Sequence, residues 1–251
     1  MKEMGEVARP WLKVWDSEDF NEHLASLKRM QERDAIIFLD FLPEEGKILD
    51  AGCGIGGACH LIQEKESREI YGIDLLENAI KKANENKRED MHFSVGDITA
   101  LNFPDNYFNL VLSRGVVEHL PEPEKAVAEL SRVLKKGGIL FITVPNKHCY
   151  THRLYRWFYR RIGLWKVGKE LSMSARELEE LCSKHNCETI ESGTFDILRA
   201  LLNLFTLPDK QNILSKMALP IRGLIYYTLR DLLKTRKTRF GFMTYVAARK
   251  K

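Results

Sequence analysis

No window of this sequence holds 18 consecutive apolar residues, so a membrane-spanning helix is not expected. The opening MKEMGEVARPWLKVWDSEDF also lacks the unbroken apolar run of a secretory leader, because acids and tryptophans interrupt it, and a cytoplasmic location is expected. Cysteine is scarce. Cys53, Cys59, Cys149, Cys182 and Cys187 are odd in number and have no metal-ligand spacing, which argues against a disulfide framework or structural zinc and for reduced thiols. With only 8 prolines and 16 glycines, and no repeat or low-complexity window, the chain leaves no room for a long disordered tract or a solenoid. What is present is 44% apolar and 29% charged residues over 251 positions, which suits one α/β core with a lid.

The net charge of +4 conceals a division. Residues 1–146 carry 18 Lys and Arg against 26 Asp and Glu, a net of −8, whereas residues 147–251 carry 21 against 9, a net of +12. The second half is therefore a candidate contact surface for something anionic.

After a helix-like stretch from Ser17 to Phe41, short apolar runs alternate with amphipathic segments. KILDA (47–51), EIYGI (69–73), MHFSV (91–95), FNLVLS (108–113) and GILFITV (138–144) read as buried parallel strands. Glu77–Arg88 and Glu122–Lys136 read as helices between them, the second stopped by Gly137. Ser174–His185 is predicted to be a helix capped by Ser174 with Glu177 three residues on, followed by strands near Glu188–Phe195 and at FMTYVAA (242–248). The alternation predicts an open doubly wound α/β sheet, and the long stretch between the last two strands is expected to be a lid or binding element.

The segment ILDAGCGIGG (48–57) runs from an apolar strand into Asp50 and then Gly52, Gly54 and Gly56. A dinucleotide site wants G-x-G-x-x-G with the pyrophosphate on a helix N-terminus. Here the third glycine comes one residue early and the strand ends on an acid, a pattern suited to a ligand with an ammonium group and no phosphate. Asp74 ends the second strand, with Leu75 beside it, where a carboxylate can accept hydrogen bonds from both hydroxyls of a ribose. Asp97 follows the third strand, and with the backbone N–H of Ile98 it could read an adenine edge. Ser113 and Arg114 lie at the carboxyl end of the fourth strand, where open sheets bind ligands. Each has a plainer reading as well: the glycines as a tight turn, Asp74 and Asp97 as caps, and Glu118 with His119 as supports of the loop after the fourth strand.

Taken in order, LDAGCGIGG, YGIDLL, GDITALNFPDNYFNLVLS, VVEHL, LSRVLKKGG and FITVPN resemble the class I S-adenosylmethionine-dependent methyltransferases, in particular the branch containing quinone-biosynthesis and other small-molecule enzymes. The resemblance covers residues 45–146, with a weaker match at 170–195. It implies a seven-stranded sheet in the order 3-2-1-4-5-7-6 with strand 7 antiparallel. It also implies S-adenosyl-L-methionine as cofactor, held by Asp50, Gly52, Gly54, Gly56, Asp74, Leu75, Asp97, Ile98 and Ser113. On this reading residues 1–251 form a single methyltransferase domain. Residues 1–44 are an N-terminal helical cap, 45–146 the cofactor-binding half, and 147–251 the substrate half with a helical lid insertion at about 196–240.

Some quinol methyltransferases of that branch place a further Glu three residues before the Glu-His pair, a trio associated with a divalent cation. This sequence has Gly115 there, so no metal is expected. The [DN]PPY signature of many enzymes that methylate amide or base nitrogens is replaced by Ser113, Arg114, Gly115 and Val116, which shifts the expected acceptor toward oxygen or carbon. The expected reaction is in-line methyl transfer to a small, partly apolar acceptor. If a general base serves it, His119 comes first, with His148 and Tyr150 as rivals.

From Lys147 to Lys169 there are seven Lys or Arg and no acid, interleaved with aromatics, and residues 221–234 have a basic amphipathic pattern. Such segments can pack on their own domain, meet an anionic membrane surface or lipophilic substrate, or bind single-stranded nucleic acid. The alternative function is accordingly an RNA or protein methyltransferase that uses the basic half as its platform. The oligomeric state is open.

Overall fold

The computed structural model describes residues 9–12, 14–16, 18–32, 37–65, 68–165, 168–196 and 240–251. The expected lid insertion and the 221–234 pattern lie outside the described residues.

Seven strands, β1 (Ile48–Ala51), β2 (Ile70–Asp74), β3 (Met91–Val95), β4 (Phe108–Arg114), β5 (Leu134–Pro145), β6 (Cys187–Phe195) and β7 (Met243–Lys250), form one sheet in the order β3-β2-β1-β4-β5-β7-β6. The first five run parallel, and β7 is antiparallel to both β5 and β6. Order and direction are those implied by the resemblance. The helices are α1 (Phe20–Glu32), α2 (Gly57–Lys65), α3 (Glu77–Glu85), α4 (Pro123–Val133), α5 (Tyr150–Arg161) and α6 (Ala175–Ser183).

Strand side chains alternate between two cores, as the period of two requires. Leu49, Val111, Leu140, Ile142, Val246 and Ala248 pack with Ala126, Val127 and Leu130 of α4 and Leu178 of α6. Ile48, Leu110, Leu112, Phe141, Tyr245 and Ala247 face the opposite side, against Leu27 of α1, Leu61 and Ile62 of α2 and Ile80 of α3. A sheet covered on both faces explains why its strands read as continuous apolar runs.

Several boundaries differ from the sequence expectation: β5 begins at Leu134 rather than Gly138, α3 ends at Glu85 rather than Arg88, and two further differences have a clear packing cause. The Ser17–Phe41 stretch resolves into α1 and a 3-10 turn at Ile37–Phe41 that buries Ile37 and Phe38. The helix expected to reach Lys136 ends at Val133, because Leu134 is fully buried and pairs with Phe108 of β4. The carbonyls of Arg132 and Val133 accept from the N–H groups of Asn106 and Tyr107, which anchors the helix end to the turn that leads into β4. The cap of α6 follows the sequence. Glu177 N–H donates to Ser174 Oγ at 3.3 Å and Ser174 N–H donates to Glu177 Oε2 at 2.9 Å, satisfying two helix-end donors reciprocally.

Candidate active site

The carboxyl ends of β1, β2 and β4 converge on the glycine loop. Gly52, Gly54 and Gly56 all adopt positive φ (87°, 55° and 81°), a conformation that L side chains rarely tolerate. A Cβ on Gly52 would sit 2.2 Å from Val116, so the loop after β4 lies directly against the glycine loop. A Cβ on Gly54 would sit 2.5 Å from the Trp15 ring. The loop is fixed from β2 as well: Asp74 Oδ2 accepts from Gly54 N–H at 2.9 Å, while Asp74 Oδ1 accepts from Leu76 N–H at 3.0 Å.

Asp50 is completely buried at the end of β1. Its Oδ2 lies 3.3 Å from Arg114 Nη2, and its Oδ1 has no hydrogen-bond partner among the described residues. Arg114 also stacks over Phe38, 4.9 Å from the ring centre. Asp97 is half-buried after β3, where its Oδ1 accepts from the N–H and hydroxyl of Thr99, and Ile98 behind it is part of the core. Ser113 is buried with its Oγ unpartnered among the described residues.

The turn Val117–His119 follows β4. His119 Nδ1 lies 3.0 Å from the carbonyl oxygen of Lys169, which can only accept, so Nδ1 carries the proton and Nε2 keeps its lone pair. Burial holds the imidazole below its ordinary pKa, against the opposing pull of that carbonyl and of Glu170. Trp11 meets the His119 ring edge-on at 5.1 Å. Trp11 and Trp15 lie four residues apart in a segment that is helical at 9–12 and 14–16. One helical turn of about 6 Å therefore links the wall over Gly54 to the wall over His119. His148 and Tyr150, the rival bases, are both exposed.

Residues 49–142 match the family described as a methyltransferase domain. An uncharacterised methyltransferase of Schizosaccharomyces pombe is 35% identical over 186 residues, 66% of this chain and 66% of that protein. The chain belongs to the class I S-adenosylmethionine-dependent methyltransferases. The 2-methyl-6-phytyl-1,4-hydroquinone methyltransferase of Synechocystis is 38% identical over 111 residues, 43% of this chain and 35% of that enzyme. Among solved structures, the phosphoethanolamine N-methyltransferase 2 of Haemonchus contortus, in complex with phosphomonomethylethanolamine and S-adenosylhomocysteine, shares the fold at a TM-score of 0.59. It is 22% identical, over 88% of this chain and 52% of that one. The match spans between 28% and 51% of the length of further curated relatives.

The donor set of this methyltransferase suits its family's cofactor. Three carboxylates stand at the ends of β1, β2 and just beyond β3, and the buried orphan oxygen of Asp50 calls for a cationic or hydrogen-bonding partner. Sequence reasoning missed Trp11, Trp15 and Lys169. The i, i+4 spacing of the two tryptophans was a usable signal, whereas the Lys169 carbonyl reaches His119 across 50 residues and leaves no local trace.

Glu118 gives the methyltransferase a second buried titratable group beside His119. Desolvation pushes its carboxyl well above the ordinary carboxylate range, its own backbone N–H opposes this, and the charge of Glu170 adds to it. Its Oε2 has no partner among the described residues, while its carbonyl accepts from Leu171 N–H at 2.9 Å. The folded protein thus retains a proton that the unfolded chain loses above about 4.5. This stabilising contribution is complete below pH 4.5 and declines as pH rises toward the folded pKa, at up to about 1.4 kcal/mol per pH unit. Glu118→Gln keeps the shape and cannot ionise. Thermal melts should show the variant more stable than wild type at pH 8 and equal to it at pH 4; parallel melting curves across that range would mean that Glu118 is ionised in the fold.

Proposed function

We propose that this chain is an enzyme that moves the methyl group of S-adenosylmethionine to an oxygen or carbon atom of a small, partly apolar acceptor by in-line displacement. The observation that carries the reading is the unprotonated Nε2 of buried His119, 3.8 Å from Glu118 Oε1 and one helical turn from the glycine loop along the Trp11–Trp15 wall. S-adenosylmethionine supplies an electrophilic methyl on a sulfonium centre. Asp50 would face the ammonium group, the backbone at Gly52, Gly54 and Gly56 would admit the body of the molecule, and Asp74 with Leu75 would hold the ribose. Asp97 with Ile98 would hold the adenine, and Ser113 would line the mouth. His119 would take the proton of an acceptor hydroxyl or acidic C–H, and the two indoles would exclude water and align the acceptor. Similarity to a hydroquinone methyltransferase supports a phenolic or quinol-like acceptor.

Incubating the protein with methyl-labelled cofactor and fractionated metabolite and lipid extracts tests the proposal. Label in a small hydroxylated or carbon-methylated product is the expected result. Label in RNA or protein with none in small molecules would instead establish the reading in which the basic half is a macromolecular platform.

Turnover should need no metal, since Gly115 stands where the metal-associated trio has its other Glu. Activity in EDTA should equal activity without it; a loss that magnesium restores would refute this.

A further inference from the structure

Helix α5 is amphipathic in the inverse sense. Its inward face carries charge: His152 Nε2 and Arg156 Nη1 contact Glu170 Oε1 at 2.8 and 3.0 Å, and the His152 ring meets Phe242 edge-on. Its outward face carries Tyr150, Leu154, Trp157 and Phe158 at the i, i+4, i+7, i+8 spacing of a single stripe, with Tyr150 65% and Trp157 63% exposed. Burial in a core would place such a stripe inward. Arg153, Arg160 and Arg161 are exposed alongside it, and no acid occurs from Lys147 to Lys169. Beyond the helix end, Ile162 and Leu164 continue the exposed apolar surface.

We propose that the outward face of α5 is a docking surface for an anionic lipid bilayer, with the aromatic and leucine side chains entering the headgroup boundary and the arginines pairing with lipid phosphates and carboxylates. Charge complementarity selects the occupant. An isolated cationic face would serve RNA equally well, but Leu154, Ile162 and Leu164 offer a nucleic acid nothing, whereas Trp and Tyr beside Arg are the side chains that settle at a membrane–water interface. The surface also has a route to the site. Residues 169–171 lie between the two: Glu170 binds His152 and Arg156 of α5, while the Lys169 carbonyl and the Leu171 N–H engage His119 and Glu118. Bilayer binding itself does not depend on which acceptor the enzyme uses.

The test is co-sedimentation of the full chain with vesicles of phosphatidylcholine alone or mixed with phosphatidylserine. At low salt, binding to the mixed vesicles should be at least about tenfold stronger, and it should weaken as salt rises. Combined Leu154→Ser, Trp157→Ser and Phe158→Ser should weaken binding about tenfold at every salt concentration. Combined Arg153→Glu, Arg160→Glu and Arg161→Glu should abolish the preference for anionic vesicles. Circular dichroism and retained cofactor binding establish that each variant is folded, and if the serine variant fails this control the glutamate variant carries the test. Wild-type protein that ignores anionic vesicles at low salt overturns the proposal, whether it instead binds an RNA oligonucleotide tightly or forms a dimer that the serine substitutions dissolve. Folded variants that bind vesicles as wild type does overturn it equally.

Discussion

Replacing His119 with Ala should lower kcat by about 10²- to 10⁴-fold, the range for removal of a positioned general base, and leave cofactor affinity nearly unchanged. The direction of the pH dependence follows from the site. A base works unprotonated, and burial of His119 favours the neutral ring, placing its pKa below 6.5. The wild-type kcat should therefore be flat above neutrality and fall only on the acid side of pH 6.5, as the ring protonates. His119→Gln can preserve the hydrogen bond to the Lys169 carbonyl but has no basic nitrogen, so it should lose both the rate and the acid limb. A merely supporting role for His119 predicts something else: the Gln variant would keep most of the rate, and the Ala variant would lose activity together with melting temperature. Steady-state kinetics from pH 5 to 9, paired with thermal melts, separate the two.

Much of the sheet was legible because its strands are buried on both faces and bounded by turn residues. MHFSV was placed to the residue, and β1, β2 and β4 to within one residue at each end. Strand pairing was not legible in this way. The antiparallel insertion of β7 between β5 and β6 rests on contacts such as the stacking of Tyr245 on Phe141, which join positions more than 100 apart, and a local pattern cannot encode them. Strand order came from the resemblance instead. The end of α4 was misplaced for a related reason: Lys135, Lys136 and Gly137 look like a helix stop, but burial of Leu134 against the sheet outweighs the local signal. In the site, the glycines and strand-end acids were visible because their chemistry depends on spacing along one segment. The pairing of Asp50 with Arg114 and the contact of Trp15 with Gly54 were not, since each joins separate elements of the fold.

Asp74→Ala should weaken S-adenosylmethionine binding by about 1.5 to 3 kcal/mol, roughly ten- to 150-fold in Kd, the range for hydrogen bonds to a charged group. Two effects of one carboxylate contribute. Its oxygens already accept from Gly54 and Leu76 N–H, so the substitution frees the glycine loop and leaves two buried donors without their acceptor. Burial raises the carboxyl from its ordinary value, and these N–H groups act against the rise. Each oxygen retains a further lone pair, and it is these that would take the ribose hydroxyls. Calorimetry with the cofactor and with a 2′,3′-dideoxy analogue apportions the two effects as a double-mutant cycle. If Asp74 holds the ribose, the substitution should cost the natural cofactor much more than the analogue, because the analogue has no hydroxyls to lose. If Asp74 only braces the loop, both ligands should weaken equally and the melting temperature should fall with them. Unchanged affinity for the natural cofactor in a folded variant would remove Asp74 from the site altogether, and the ribose would then have to be held without the acid that ends β2.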